Sequence, residues 1–270
     1  ETFYMKKRMY WKPDFQEQYF PQYVPQAELD FVNSEMRKIA SNKDYTLVLS
    51  SKNAEDDFKK FFGPHINTTK LLRFLSILPD ISSFDPARIL RKYNITKRYF
   101  LVANQFWPHK NHILVAEAMK EVYKVNPDFQ IVMTGKKTSY RDKMYVTKLE
   151  KILIDNGLYK NVKMTSFISR EDQLVLMKNS IAVLQPSLFE GWSTVIENCK
   201  ALNHLVIASD LEVNKEQINT NCLFFERHSV SQLAEKMLMV LNGETKVIPQ
   251  DYSKNIEEFK RSLVDVYELN

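Results

Sequence analysis

Two glutamates, Glu190 and Glu197, bracket a Gly-Trp-Ser-Thr turn in the stretch LQPSLFEGWSTVIENCKAL at residues 184–202. Val183 and Leu184 read as the end of a buried strand, Pro186 breaks it, and a helix begins near Ser193 or Thr194. The first amides of such a helix, at residues 192–194, have no partner within it, so together with the helix dipole they form a seat for a phosphate. Glu197 would then accept hydrogen bonds from ribose hydroxyls, and Glu190 would lie near a bound ligand's reactive carbon. A structural reading competes. Thr194-x-x-Glu197 spells a capping box, in which the glutamate closes back onto an N-terminal amide. Gly191 is expected to admit the ligand, because the chain holds only five glycines in 270 residues, against roughly nineteen at an average usage of about 7%.

Two further loops carry chemistry. The run Asn104-Gln105-Phe106-Trp107-Pro108-His109-Lys110-Asn111-His112 follows the apolar YFLVA and leads into a helix. Lys110 is expected in that helix's first turn, where the dipole disfavours a cation by about 0.3–1 kcal/mol and a bound anion would reverse the sign. The plainer reading is a surface lysine. His109 and His112 lack the carboxylate or third ligand that a metal site needs, so no metal is expected. Gly135-Lys136-Lys137, directly after FQIVM, is either a tight turn or bare backbone that a ligand can approach.

The elements that position these loops alternate from about residue 98, with short β-rich runs between helix-length amphipathic ones. That is the pattern of a parallel sheet wound with helices. Strands are expected at 99–103, 129–133, 162–165, 181–185 and 205–208, and helices near 110–125, 140–156, 170–179, 193–202 and 229–242. Gly157 and Gly243 read as helix stops. The first 85 residues hold an aromatic, proline-punctuated segment at 11–25, a helix at 27–41, a strand at 45–50, a helix at about 53–62 and a short strand near 71–74. One or two strands with two helices leave a sheet's faces unburied, so this region is expected to be part of a larger domain. A last amphipathic helix is expected at 252–269.

Composition bounds the class. The formal charge of +5, from 38 basic and 33 acidic residues, is spread along the chain. It describes a mildly cationic surface and not a nucleic-acid arm. Two cysteines in this length fit a reducing compartment, not a disulfide scaffold. With no apolar run near the ~20 residues of a membrane span and no signal-like start, the expectation is a cytoplasmic protein. The triplets Asn67-Thr68-Thr69 and Asn94-Ile95-Thr96 are then chance matches to a glycosylation signal.

Taken together, NQFWPHKNH (104–112), TGKKTSYRD (134–142), PSLFEGWSTVIE (186–197) and WKPDFQ (11–16) resemble the family-4 retaining glycosyltransferases. The motifs occur in order over nearly the whole chain, and their co-occurrence is specific where each alone is weak. The resemblance implies an α/β GT-B fold with one complete Rossmann-like domain and a partial one. Residues 1–74 would be the last part of an acceptor-side domain, 75–250 the domain that binds a nucleotide-sugar donor, and 251–270 a crossover helix. It makes Lys110 a ligand of the donor diphosphate, Glu190 the acidic residue near the transferred sugar and Glu197 the ribose ligand. Ser193 and Thr194 would offer amides, while Gln105, Gly135, Lys136, Phe167, Ile168, Gly191 and Trp192 would line the donor site.

Three departures from the family pattern stand out. Six residues separate the two glutamates where the commoner pattern has seven. Gln105 replaces a frequent arginine, and Asn203 a usual glycine. The implied reaction is metal-independent transfer of a sugar, with retention, to a glycan or lipid-linked hydroxyl acceptor. Peripheral attachment at the inner membrane face, or a separate chain completing the first domain, would accord with it. Alternatives are a nucleotide-sugar-binding protein without transfer and a nucleotide-sugar epimerase of the same fold. A dinucleotide oxidoreductase is disfavoured because no G-x-G-x-x-G follows a strand.

Overall fold

The computed structural model describes residues 8–139 and 141–267. The chain divides into two units. The first takes residues up to Leu75, Glu190–Ser193 and the segment from Asp251 on; the second takes Ser76–Phe189 and Thr194–Gln250.

In the first unit, β1 (Arg8–Trp11), β2 (Tyr45–Leu49) and β3 (Thr68–Leu71) form a parallel sheet in the order β1-β2-β3. α1 (Gln16–Tyr19), α2 (Gln26–Ala40) and α3 (Lys52–Phe62) accompany it. Ser51 starts α3 by accepting the Ala54 N–H, an N-cap that satisfies one of the orphan donors. The core is aromatic: Phe15 stacks on Phe58 with ring centroids 6.0 Å apart, and Leu47, Leu49, Met36 and Ile39 close around them. The sheet has three strands where one or two were expected. β1 escapes a sequence reading because it is an edge strand, exposed except at Tyr10.

The second unit is a six-stranded parallel sheet of β4 (Tyr99–Val102), β5 (Gln130–Met133), β6 (Val162–Met164), β7 (Ala182–Gln185), β8 (Val206–Ser209) and β9 (Cys222–Phe225). Four strands are buried on both faces, which is what helices on both sides of a parallel sheet require. Alternate residues serve opposite cores: Phe100 and Val102 lie in one, Tyr99 and Leu101 in the other. Each such side chain contributes about 1.5–3 kcal/mol by burial. The helices are α4 (Pro86–Lys92), α5 (His112–Val125), α6 (Tyr145–Asp155), α7 (Arg170–Asn179), α8 (Thr194–Ala201), α9 (Glu212–Gln217) and α10 (Val230–Leu241).

α6 begins at Tyr145, later than the expected 140, and Tyr140 lies outside the described residues. α4, α9 and β9 have no counterpart in the sequence reading. Gly157 and Gly243 follow α6 and α10 as helix stops, with φ of 69° and 74°. α11 (Ser253–Tyr267) groups with the first unit, and Lys70 of β3 bonds the Asp265 carbonyl within it; residues 268 and 269 of the expected helix lie outside the described residues. No described helix is long and apolar enough to cross a membrane.

The spatial order β6-β5-β4-β7-β8-β9 reverses direction between β4 and β7. In an open α/β sheet the crevice at such a reversal, beyond the carboxyl ends of the strands, is where ligands bind. The loops after β4 and β7 are therefore the ones to inspect.

Candidate functional site

A buried polar chain crosses the carboxyl ends of the central strands. Asn104 Nδ2 donates to Gln185 Oε1 at 2.9 Å, Gln185 Nε2 to Ser187 Oγ at 3.3 Å, Ser209 Oγ to the Ser187 carbonyl at 2.6 Å and Asn214 Nδ2 to the Ser209 carbonyl at 3.0 Å. Buried polar groups are in the large majority paired, and this chain of bonds fixes where the loops leave β4, β7 and β8.

The loop after β4 turns through a 3-10 segment at Pro108–Lys110 before α5 starts at His112, with Asn111 left-handed at φ 56°. Lys110 is thus not in the first turn of the helix, as expected, but in the turn that precedes it. The reason is local: Pro108 opens the tight turn, and Asn111 is one of the few residue types that tolerate positive φ. Gln105 is exposed on the same loop.

Both histidines of the motif are used in packing. His112 is fully buried and stacked on Phe106 at 4.6 Å, and burial pushes its pKa down to about 3. His109, 2% exposed, is lowered to about 2, mainly by burial and further by the charges of Lys110 and Arg141. It is therefore neutral, and its Nδ1 accepts a hydrogen bond from Arg141 Nη1 at 3.0 Å. The Arg141 guanidinium also lies 4.5 Å from the centre of the Trp107 ring, a cation–π contact. The His109 carbonyl accepts the Leu188 N–H at 2.7 Å, which ties the loop after β7 to this one.

Gly135 has φ +147°, and a Cβ there would lie 2.8 Å from the Asn104 carbonyl carbon and 2.9 Å from Gln105 Cα. The space that its missing side chain leaves is filled by the neighbouring loop's backbone. With the Phe106 N–H donating to the Lys136 carbonyl at 3.2 Å, the loops after β4 and β5 are stitched together. This stitching brings Gln105, Gly135 and Lys136 together, with Lys110 further along the same loop as Gln105. Phe167 and Ile168 follow β6, at the sheet's end; Phe167 is 85% exposed, while Ile168 packs on a core.

Thr194 is exposed and is the first residue of α8, so the capping-box pattern is displaced by one position. Glu197 is 2% exposed, and its Oε1 accepts from Lys200 Nζ at 2.8 Å and from Gln217 Nε2 at 3.0 Å. Lys200 is an ion-pair partner for this carboxylate one helical turn along α8.

Glu190, Gly191, Trp192 and Ser193 group with the first unit. Gly191 was expected to make room for a ligand. Its neighbour is instead Asp14: a Cβ at 191 would lie 2.6 Å from Asp14 Cβ and 2.8 Å from its Cγ. Ser50 Oγ donates to the Gly191 carbonyl at 3.1 Å and also to that of Pro13. Trp192 Nε1 donates to the Phe74 carbonyl at 2.9 Å, and Arg73 lies over its ring. Ser193 is buried.

Asp14 itself was missed by the sequence reading. Burial raises its carboxyl pKa above the ordinary value, the Gln16 N–H and Lys12 oppose this, and the charges of Glu17 and Glu190 add to it. The available signal was the WKPDFQ motif, read for its family likeness and not for its aspartate. Arg141 was likewise missed, although it stands in the quoted TGKKTSYRD run.

Comparison with known proteins bears on this arrangement. Residues 87–260 match the family described as "Glycosyl transferases group 1". The chain is similar to the O-antigen chain mannosyltransferase RfbU of Salmonella typhimurium, at 26% identity over 129 residues that span 47% of this chain and 34% of that protein. In structure it is similar to Anabaena Alr3699/HepE, solved in complex with UDP and glucose. The TM-score is 0.73 and the identity 18%, over 89% of this chain and 64% of that one. It is also similar to WaaG, a glycosyltransferase involved in lipopolysaccharide biosynthesis, with a TM-score of 0.69 and 17% identity over 88% of this chain and 67% of that one. The match thus spans about a third of the curated relative and under two thirds of the HepE chain. The fold is of the GT-B type, built from Rossmann-like α/β units.

Proposed function

Because this chain belongs to the glycosyl transferases group 1 family, we propose that it takes part in moving a sugar from a nucleoside-diphosphate donor to a hydroxyl acceptor, with retention at the anomeric carbon. The observation that carries this reading is the stitched pair of loops at the reversal of the second sheet, which presents Lys110 beside a neutral His109. HepE, solved with UDP and glucose, supports the donor class, and RfbU and WaaG support a glycan or lipid-linked acceptor.

In this reading Lys110 and Gln105 meet the diphosphate, and the amides of Ser193 and Thr194 assist. Glu197, positioned by Lys200 and Gln217, takes the ribose hydroxyls. Gly135, Lys136, Phe167 and Ile168 border the nucleoside, with the exposed Phe167 ring free to lie on a base. Glu190 is assigned to the transferred sugar, and Gly191 and Trp192 to shaping the segment that holds it. Fixed positive charge and amide dipoles stabilise the departing diphosphate, which is electrostatic catalysis of the leaving group and asks for no metal. The proton of the acceptor hydroxyl goes to a phosphate oxygen of the donor.

Calorimetry with UDP and GDP tests the first step. Lys110→Ala is expected to weaken diphosphate binding ten- to a hundredfold, since a hydrogen bond to a charged group contributes about 1.5–3 kcal/mol. Unchanged affinity and turnover would remove Lys110 from the site. Turnover that survives chelation with EDTA, and an α-configured product from an α-configured donor by NMR, test the metal-independent and retaining parts.

A further inference from the structure

A nucleoside diphosphate carries at least two negative charges, and Lys110 answers one of them. Resting on the function proposed above, we infer that Arg141, from the loop after β5, is the second cation of the diphosphate seat. It is fastened through His109 and Trp107 onto the loop that carries Lys110. Nη1 donates to His109 Nδ1 at 3.0 Å, and the guanidinium lies 4.5 Å from the Trp107 ring centre. Neither holder cancels its charge. The indole is neutral, and His109 is buried and stays neutral through the physiological range.

Arg141 bonds the His109 ring and Lys110 follows His109 in the chain, and both charges act on that ring. Like charges repel, and an anion that both reach converts that repulsion into attraction. The stitching at Gly135 and at the Phe106–Lys136 backbone bond sets how closely the two loops can approach. A guanidinium presents its donors in a planar fork that matches two phosphate oxygens at once, which an ammonium cannot do. The expected ligand of Arg141 is therefore the pyrophosphate, not the nucleoside or the sugar.

The test titrates UDP, GDP and the corresponding nucleosides into the full chain. Arg141→Gln keeps a donor for His109 and removes the charge; it should lose about tenfold or more in diphosphate affinity and leave nucleoside affinity within twofold. Arg141→Lys should recover part of the loss. If Arg141→Gln binds the diphosphates as tightly as the parent, the inference is overturned and the proposed function stands. If the parent chain binds no nucleoside diphosphate, the proposed function falls and the inference with it.

A measurement on the unsubstituted protein avoids any question of folding. Phenylglyoxal labelling of Arg141, read by peptide mass mapping, should slow at least fivefold in the presence of UDP and not of uridine. Equal labelling with and without UDP would overturn the assignment.

Discussion

Gly135 and Gly191 are both places where the main chain passes something too closely for a side chain, but what it passes differs. Gly135 runs against the backbone of Asn104 and Gln105 and has a positive φ as well. Gly191 runs against the side chain of Asp14 and has no positive φ. A backbone neighbour cannot be exchanged by substitution, whereas a side-chain neighbour can. The first glycine is therefore an absolute demand of the loop pair around Lys110, and the second is one half of a coupled pair.

The largest effect is expected at the first. Gly135→Ala adds a clash and a strained φ, together worth roughly 3 kcal/mol or more in urea unfolding, and no single side-chain change should relieve it. A loss below about 1 kcal/mol would show that the stitching yields easily.

Next comes pH. The folded pKa of His112, about 3, lies below its unfolded value of about 6.5. Between these values the unfolded chain takes up a proton that the folded one refuses, so stability is full above pH 6.5 and falls as the pH drops towards 3. At about 1.4 kcal/mol per unit, this amounts to about 2 kcal/mol between pH 7 and pH 5. His112→Phe keeps a ring against Phe106 and should remove that share of the slope. An unchanged slope would place the acid sensitivity elsewhere; His109 and His204, lowered by burial to about 2 and about 4, act in the same direction.

Gly191→Ala should cost roughly 1–3 kcal/mol. Adding Asp14→Gly, which removes all three clashing atoms, should make the double variant at least about 1 kcal/mol more stable than the sum of the single changes. Additive losses would break the comparison, because Asp14 would then not be what the glycine avoids. The smallest effect belongs to Phe167→Ala. Its exposure predicts a stability change within about 0.5 kcal/mol, while UDP affinity should fall by about two- to tenfold if the ring stacks on the base.

Much of the second sheet was legible because its strands are predominantly apolar and its helices amphipathic. β1 and β9 were not. Both are four-residue edge strands: β1 (RMYW) is exposed except at Tyr10 and shows no apolar run, while β9 (CLFF), though apolar, is short and only partly buried at three of its four residues. At the candidate site, the residues named from the sequence are ones next to one another in the chain, and those that meet across the fold were not named. Lys110 and Glu197 stand in motifs, whereas Asp14 and Arg141 gain meaning only from Gly191, Trp107 and His109, which folding brings to them. One partner of Glu197 belongs to the same class: Gln217 comes from α9, twenty residues on, and no local pattern announces it.

The scarcity of glycine is answered by asparagine. Asn94, Asn111, Asn203 and Asn221 all have positive φ. Two of them do more than turn the chain. Asn203 exchanges two hydrogen bonds with the backbone of Gln250, at 2.9 and 2.6 Å, and Asn221 does the same with Ile248, at 2.9 and 2.7 Å. Each side-chain amide stands in for a strand, so the final stretch of the second unit is moored without a sheet. Glycine, the substitution that backbone geometry would rank as harmless, would cut the mooring while leaving the turn intact. Exchange between these two residue types, neutral in most loops, is at 203 and 221 a decision about whether the chain leaves the second unit from a fixed point or a loose one.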